Sequence, residues 1–211
     1  MAEASLGALQ AAVVQDDRIL IVLAGPNGAG KSTFFDIFLA PTGIRFVNAD
    51  LIARAIDPND CSSVAYEAAK IADERRRLLI AKGASFCMET VFSDPTGGKL
   101  QFLRQAQGAG YTVFLLFIGL DSPELSIGRI IQRVEDGGHD VPDHKIRARF
   151  PRTLANLRQV VQFVDYAWLF DNSSYDEPYR LVAVFERGIP IRRATVLPAW
   201  SGSIPGLGSA T

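Results

Sequence analysis

The chain has 211 residues, enough for one domain with a sizeable core. It is 48% hydrophobic and 21% charged with a net charge of −1, which argues against a general electrostatic grip on nucleic acid or on an anionic membrane. No segment approaches the ~20 apolar residues of a membrane span, and the N-terminus lacks the basic region and apolar core of a signal peptide, so the expected location is cytoplasmic. Cys61 and Cys87 stand far apart and match no metal-ligand spacing.

Residues 1–17 are rich in Ala and Leu and predict a peripheral helix. "RILIVLAG" (Arg18 to Gly25) is a near-continuous apolar run of strand length, the pattern of a strand buried on both faces of a parallel sheet. A glycine-rich loop follows, and a helix is expected from Lys31 to about Leu39. "IRFVNAD" (Ile44 to Asp50) predicts a second strand ending in polar residues. Helical spacing of Val64, Ala68, Ala72 and Leu79 predicts a helix from Ser62 to Ala81, with Arg75 to Arg77 facing outward, and Gly83 stops it. "SFCME" (Ser85 to Glu89) is a third strand, residues 97–107 the next helix, and "YTVFLLFIGL" (Tyr111 to Leu120) the most apolar strand. Ser122 then reads as an N-cap with Pro123 at the first helical position. The segment from His139 to Tyr166 is helical on both sides of Pro151, which should kink or break it. "AWLFDN" and "RLVAVFE" complete the strands, and residues 188–211, rich in Pro, Gly and Ser, read as a loosely ordered tail.

Strands alternating with helices give an α/β domain over residues 18–187, three-layered, with a mainly parallel sheet. Within it Gly25, Pro26, Asn27, Gly28, Ala29, Gly30, Lys31 and Ser32 fit G-x-x-x-x-G-K-[ST] at every position, and Thr33 follows. Glycines let the backbone curl so that several N–H groups point at phosphate oxygens. Lys31 reaches the β- and γ-phosphates, and the Ser32 hydroxyl ligates Mg²⁺. The motif predicts a P-loop fold binding ATP or GTP with Mg²⁺, and it is silent about the acceptor.

The same loop serves ABC-type ATPases and switch GTPases. An ABC-type protein would add an apolar strand closed by an acidic pair and a signature glycine loop. A switch GTPase would add N-K-x-D. All are absent, which leaves the simpler kinase layout with a helical lid. Two strand-end carboxylates suit that layout, because the ligand crevice of a parallel sheet lies at the carboxyl ends of its strands. Asp50 could act as general base toward an acceptor hydroxyl, or hold Mg²⁺ through water, or merely cap the helix Leu51 to Ile56. Glu89 could bind the acceptor, or be a buried carboxylate paired with an arginine. Asn48, Thr90 and Ser93 are further candidates for the acceptor and are equally suited to turn chemistry. Arg129 and Arg133, at i and i+4 on one helix, repel one another unless they share an anion, the alternative being plain solvated charge. Arg147, Arg149 and Arg152 follow the glycines of "GGHDVP", a hinge-like stretch. Arginines swung over a cleft neutralise a transferring phosphoryl group. His139 and His144 complete no metal site.

These features together resemble the zeta toxin family of P-loop kinases, in its Gram-negative-type branch. The matching stretches are "GPNGAGKST" (Gly25 to Thr33), "NADLIA" (Asn48 to Ala53), "METVFS" (Met88 to Ser93) and Phe117 to Phe150, with "LANL" (Leu154 to Leu157) and "DNS" (Asp171 to Ser173) beside them. The resemblance implies a kinase that phosphorylates a sugar hydroxyl of UDP-N-acetylglucosamine or a related UDP-sugar from ATP or GTP, restrained by an antitoxin protein. It places the loop lysine on Lys31, the general base on Asp50 and the acceptor-binding glutamate on Glu89. The two phosphate-facing lid arginines fall on Arg133 and Arg149. Val91 and Phe92 depart from the family's threonine and leucine, which bears on the acceptor more than on the chemistry. A different small-molecule acceptor and a regulatory nucleotide-binding ATPase are the rival readings. A polynucleotide kinase is disfavoured by the neutral charge.

Overall fold

β1 (Ile19–Ala24) is buried along its whole length, and its alternate residues feed two different cores. Leu20, Val22 and Ala24 point into one, while Ile19, Ile21 and Leu23 point into the other. A strand covered on both faces has no use for polar residues, which is why this run shows no alternation. The computed structural model describes residues 18–135 and 140–208. The helix expected over residues 1–17, and Gly137, Gly138 and His139 of the expected hinge, lie outside them.

β1 is the centre of a seven-stranded sheet with β2 (Arg45–Val47), β3 (Phe86–Thr90), β4 (Thr112–Gly119), β5 (Tyr166–Asp171), β6 (Arg180–Glu186) and β7 (Ile189–Arg193). The order is β2-β3-β1-β4-β5-β6-β7. The first five strands run parallel, and β6 and β7 add antiparallel to the β5 edge. Helices cover both faces, giving the expected three layers. α1 (Lys31–Phe34), prolonged by a π turn Phe35–Leu39, buries Phe34, Phe35 and Leu39 on one side. α2 (Ala49–Ile56), α3 (Ala65–Ala81) and α4 (Gly98–Gly108) bury Ile52, Ala68, Ala72 and Leu103 on the other. Each such aliphatic or aromatic side chain removed from water is worth roughly 1.5–3 kcal/mol.

α5 (Pro123–Glu135) starts as the sequence predicts, with the Leu125 N–H donating to Ser122 Oγ at 3.1 Å. It meets α6 (Asp143–Val160) through a small apolar cluster of Ile127, Ile130, Val141 and Ile146, and through an ion pair between Arg147 and Glu124. These two helices form the lid and its stem.

Three expectations are corrected. α6 runs unbroken through Pro151. The proline removes one rung of the helical ladder, while burial of Ile146, Phe150, Thr153 and Leu157 fixes both halves against the body. Arg76 does not face outward: it is 5% exposed, beside Asp73 at 3.8 Å, because α3 is covered on that side too. The C-terminal residues are not a loose tail, and the domain does not stop at residue 187. β7 pairs with β6, and Trp200, Ile204 and Leu207 enter the main core. The Trp200 indole N–H donates to Asp171 at 3.0 Å, and the ring fills the space left by Gly119, where a Cβ would lie 2.4 Å from it. Three widely spaced apolar anchors suffice to order a segment whose composition suggests none.

Candidate active site

The phosphate loop turns away from β1 at Gly25, whose φ of +147° and close approach to β4 no other residue could adopt: a Cβ there would lie 2.2 Å from the Ile118 carbonyl oxygen. Gly30 is similarly constrained, with φ +86° and the Asn172 amide and Tyr179 hydroxyl each 2.8 Å from where a Cβ would stand. Those two groups hold the loop. Asn172 Nδ2 donates to the Ala29 carbonyl and Tyr179 Oη to the Gly30 carbonyl, both at 2.9 Å. On the other side the Ser126 hydroxyl of α5 donates to the Asn27 carbonyl. The carbonyls thus point outward into protein partners, and the backbone N–H groups are left for a ligand. The side-chain oxygen of Asn27 is buried without a partner.

Lys31 lies 6% exposed, donating to the Gly25 and Pro26 carbonyls at 3.0 and 2.9 Å. Burial pushes its ammonium pKa down, against the opposing pull of the Glu89 and Asp50 carboxylates. Glu89, at the carboxyl end of β3, approaches Lys31 at 3.7 Å and accepts from Ser32 Oγ at 3.0 Å and from Asn48 Nδ2 at 2.7 Å. The costly buried carboxylate therefore has a lysine partner, where an arginine was expected. Burial and the Glu89 charge together push the neighbouring Cys87 thiol far above its usual value.

The alternatives left open for Asp50 narrow here. The cap of α2 is Asn48, whose Oδ1 accepts from the Asp50 and Leu51 N–H groups at 2.7 and 3.3 Å. Asp50 sits in the first turn, and among the described residues its carboxylate makes no hydrogen bond. Both ends of the Asn48 amide are engaged in structure, and Thr90 Oγ1 accepts from the Phe92 N–H at 3.0 Å, so each performs turn chemistry. Phe92 is held there at φ +62°.

A cavity of ≈ 320 Å³ opens between α1, α2 and α5. Its walls include Ser32, Asp36, Asn48, Asp50, Arg54 and Arg133. Arg133 thus joins Asp50 and the metal-ligating serine as the sequence predicts. Arg149 lies half-buried on α6 and is not part of this cavity. Arg129 lies elsewhere again, against Gly28 and stacked on the Tyr175 ring at 5.0 Å. A wider groove of ≈ 570 Å³ follows β6 and β7, away from the phosphate loop, and holds none of its residues.

The donor set suits Mg²⁺ between the phosphates: the Ser32 hydroxyl gives its proton direction to Glu89, which leaves its oxygen lone pairs for a cation. Among the described residues no group of three His, Cys, Asp or Glu side chains could hold a metal alone, consistent with an ion carried in by phosphate. Sequence reasoning missed Asn172 and Tyr179, which bracket the polar stretch "NSSYDEPY" after β5. A run of hydrogen-bonding residues at the carboxyl end of a strand was the available signal.

The Zeta toxin family model matches residues 4–180. An uncharacterised protein of Haemophilus influenzae is 28% identical over 130 residues, which cover 62% of this chain and 91% of that protein. Among solved structures, the AvrRxo1-ORF1:AvrRxo1-ORF2 complex with sulphate ions superposes with a TM-score of 0.66 at 20% identity. The likeness covers 89% of this chain and 65% of that one, so the chain spans just under two thirds of its length. The PezAT chromosomal toxin–antitoxin system of Streptococcus pneumoniae gives a TM-score of 0.58 at 19% identity, over 86% of this chain and 79% of that chain. At such identities the structural likeness speaks for the fold.

Proposed function

The chain belongs to the zeta toxin family, and from that premise we propose that it is a phosphotransferase moving the γ-phosphate of ATP or GTP to a sugar hydroxyl of a UDP-sugar, UDP-N-acetylglucosamine or a relative. The observation that carries this reading is Asp50: an unbonded carboxylate sharing one cavity with Ser32 of the phosphate loop and with Arg133. A nucleotide-binding switch has no need of a free carboxylate facing its γ-phosphate across an empty cavity, whereas a kinase does.

In this reading the loop N–H groups and Lys31 hold the β- and γ-phosphates. Mg²⁺, when bound at Ser32, offsets charge on their oxygens. The acceptor hydroxyl lies against Asp50, which takes its proton as the oxygen attacks phosphorus. The new P–O bond forms as the bond to the β-phosphate bridging oxygen breaks, and the nucleoside diphosphate leaves. Arg133 faces the charge that spreads over the transferring group, and Arg149 would need movement of α6 to join it. The departure at Val91 and Phe92, with the strained Phe92 backbone, favours as second reading the same chemistry on another small hydroxyl metabolite. Kinship with the family and likeness to the PezAT system further suggest an antitoxin protein as partner and the cytoplasm as its setting. No helix among the described residues is long and apolar enough to cross a membrane.

Incubating the protein with γ-labelled ATP or GTP, Mg²⁺ and a panel of UDP-sugars tests the reading. Label is expected on one of the sugars. Hydrolysis indifferent to every acceptor would overturn it in favour of a regulatory ATPase.

A further inference from the structure

We infer that Arg129 and Tyr175 form the seat for the purine base of the donor nucleotide, with the base stacked against this cation–aromatic pair; the inference rests on the proposal that the phosphate loop holds a nucleoside triphosphate. The sheet order sets the argument. β1 and its loop lie at the centre, and the cavity with Asp50 lies over the carboxyl ends of β2 and β3 on one side. A triphosphate held by the loop with its γ-phosphate toward Asp50 must run the other way with its nucleoside, over the carboxyl ends of β4 and β5.

What stands there are α5, which follows β4, and the stretch from Asn172 to Tyr179, which follows β5. Both are fastened to the loop: Ser126 donates to the Asn27 carbonyl, and Asn172 and Tyr179 donate to the Ala29 and Gly30 carbonyls. The Asn172–Tyr179 stretch is closed on itself as well, by the Tyr179 N–H donating to Asn172 Oδ1 at 3.2 Å. Tyr175 is therefore presented at a fixed place beside the loop, though its ring is 74% exposed.

Arg129 bridges the two. Its Cβ would be 3.3 Å from a Cβ on Gly28, so its root touches the phosphate loop, while its guanidinium carbon reaches 5.0 Å from the centre of the Tyr175 ring. The arginine thus spans about the separation of a β-phosphate from its base. Its Nε is buried without a hydrogen-bond partner, an unmet donor that a polar ligand would satisfy. A large exposed ring paired with a guanidinium offers two flat surfaces for a heterocycle, and every purine has a π-face to place on them. Phosphate alone would explain Arg129 but not Tyr175. A stack also reads the face of the base and not its edge, so ATP and GTP should be held alike by this pair.

Calorimetric titration in Mg²⁺ buffer of the full chain and of Tyr175→Ala and Tyr175→Phe, with ATP, GTP and inorganic tripolyphosphate, tests the seat. Tyr175 is exposed, so neither substitution threatens the fold. Tyr175→Ala should weaken both nucleotides about ten-fold and leave tripolyphosphate unchanged, and Tyr175→Phe should keep nucleotide affinity. ATP affinity unaltered in Tyr175→Ala, or a loss shared equally by tripolyphosphate, would overturn the inference. Failure of the unaltered protein to bind any of the three would overturn the phosphate-loop reading itself.

Discussion

The phosphate loop and the cavity beside it share Ser32 and are built in opposite ways. Around the loop, polar groups are paired: Lys31 with two carbonyls and Glu89, Ser32 with Glu89, and three loop carbonyls with Ser126, Asn172 and Tyr179. In the cavity the side chains of Asp36, Asp50 and Arg54 make no hydrogen bond or ion pair among the described residues. A cradle that must present N–H groups in one geometry gains from being locked in advance. A group that must pick up a proton gains from having no competing partner.

Asp50→Asn is the sharpest way to break this comparison. The amide keeps size and helix position but cannot take a proton, so transfer to the acceptor should fall by about 10³-fold with nucleotide affinity unchanged. Rate and affinity are read by labelled transfer and by calorimetry on the same preparation. If affinity falls with rate, Asp50 belongs to the cradle and the contrast fails.

Glu89→Gln tests the seam between the two regions. Its carboxylate orients Ser32 and lies by Lys31, so the substitution should raise the Mg²⁺ concentration needed for half-maximal transfer by about ten-fold, as loss of a partner behind a metal ligand does. An unchanged Mg²⁺ requirement with weaker acceptor binding would instead return Glu89 to the acceptor-holding role that the family resemblance implies.

How much of this was legible follows the same division. The cradle is spelled in eight consecutive residues, because a loop that binds through its own backbone must be contiguous. Asp50 and Glu89 could be read as strand ends facing one crevice. The order of the strands, which puts Arg129 beside Tyr175 and away from Asp50, is a tertiary fact that no local pattern carries. Asn172 and Tyr179 reach the loop from over 140 residues away, and the distance hides their role. Trp200 was obscured by its Gly- and Pro-rich neighbours, and only the gap at Gly119 explains why it is buried. Pro151 and Arg76 were misjudged because local rules treat a helix as if it stood alone in water.

Gly30→Ala perturbs the locked side by a smaller amount. A methyl group at φ +86° carries about 1–2 kcal/mol of backbone strain, and it would meet the Asn172 amide and Tyr179 hydroxyl. Nucleotide affinity should drop roughly ten-fold, with a matching loss of stability in urea. Rescue of affinity by Tyr179→Phe, which removes the obstructing hydroxyl, would locate the damage at that contact.

The smallest expected effect is a slope. Burial holds the Lys31 ammonium below its usual 10.5 in the folded protein, so between its folded value and 10.5 the unfolded chain binds more protons than the folded one. Stability then rises with pH through that window, and is lost again as pH falls through the folded value. Lys31→Ala should flatten this rise, as followed by urea midpoints from neutral pH to about 10.5. Saturating Mg²⁺–ATP should flatten it in the unaltered protein too, because phosphate favours the charged lysine and draws its folded pKa back up. A slope that persists with nucleotide bound would mean that the phosphates do not reach Lys31, and that the best-ordered part of the site is locked against its own ligand.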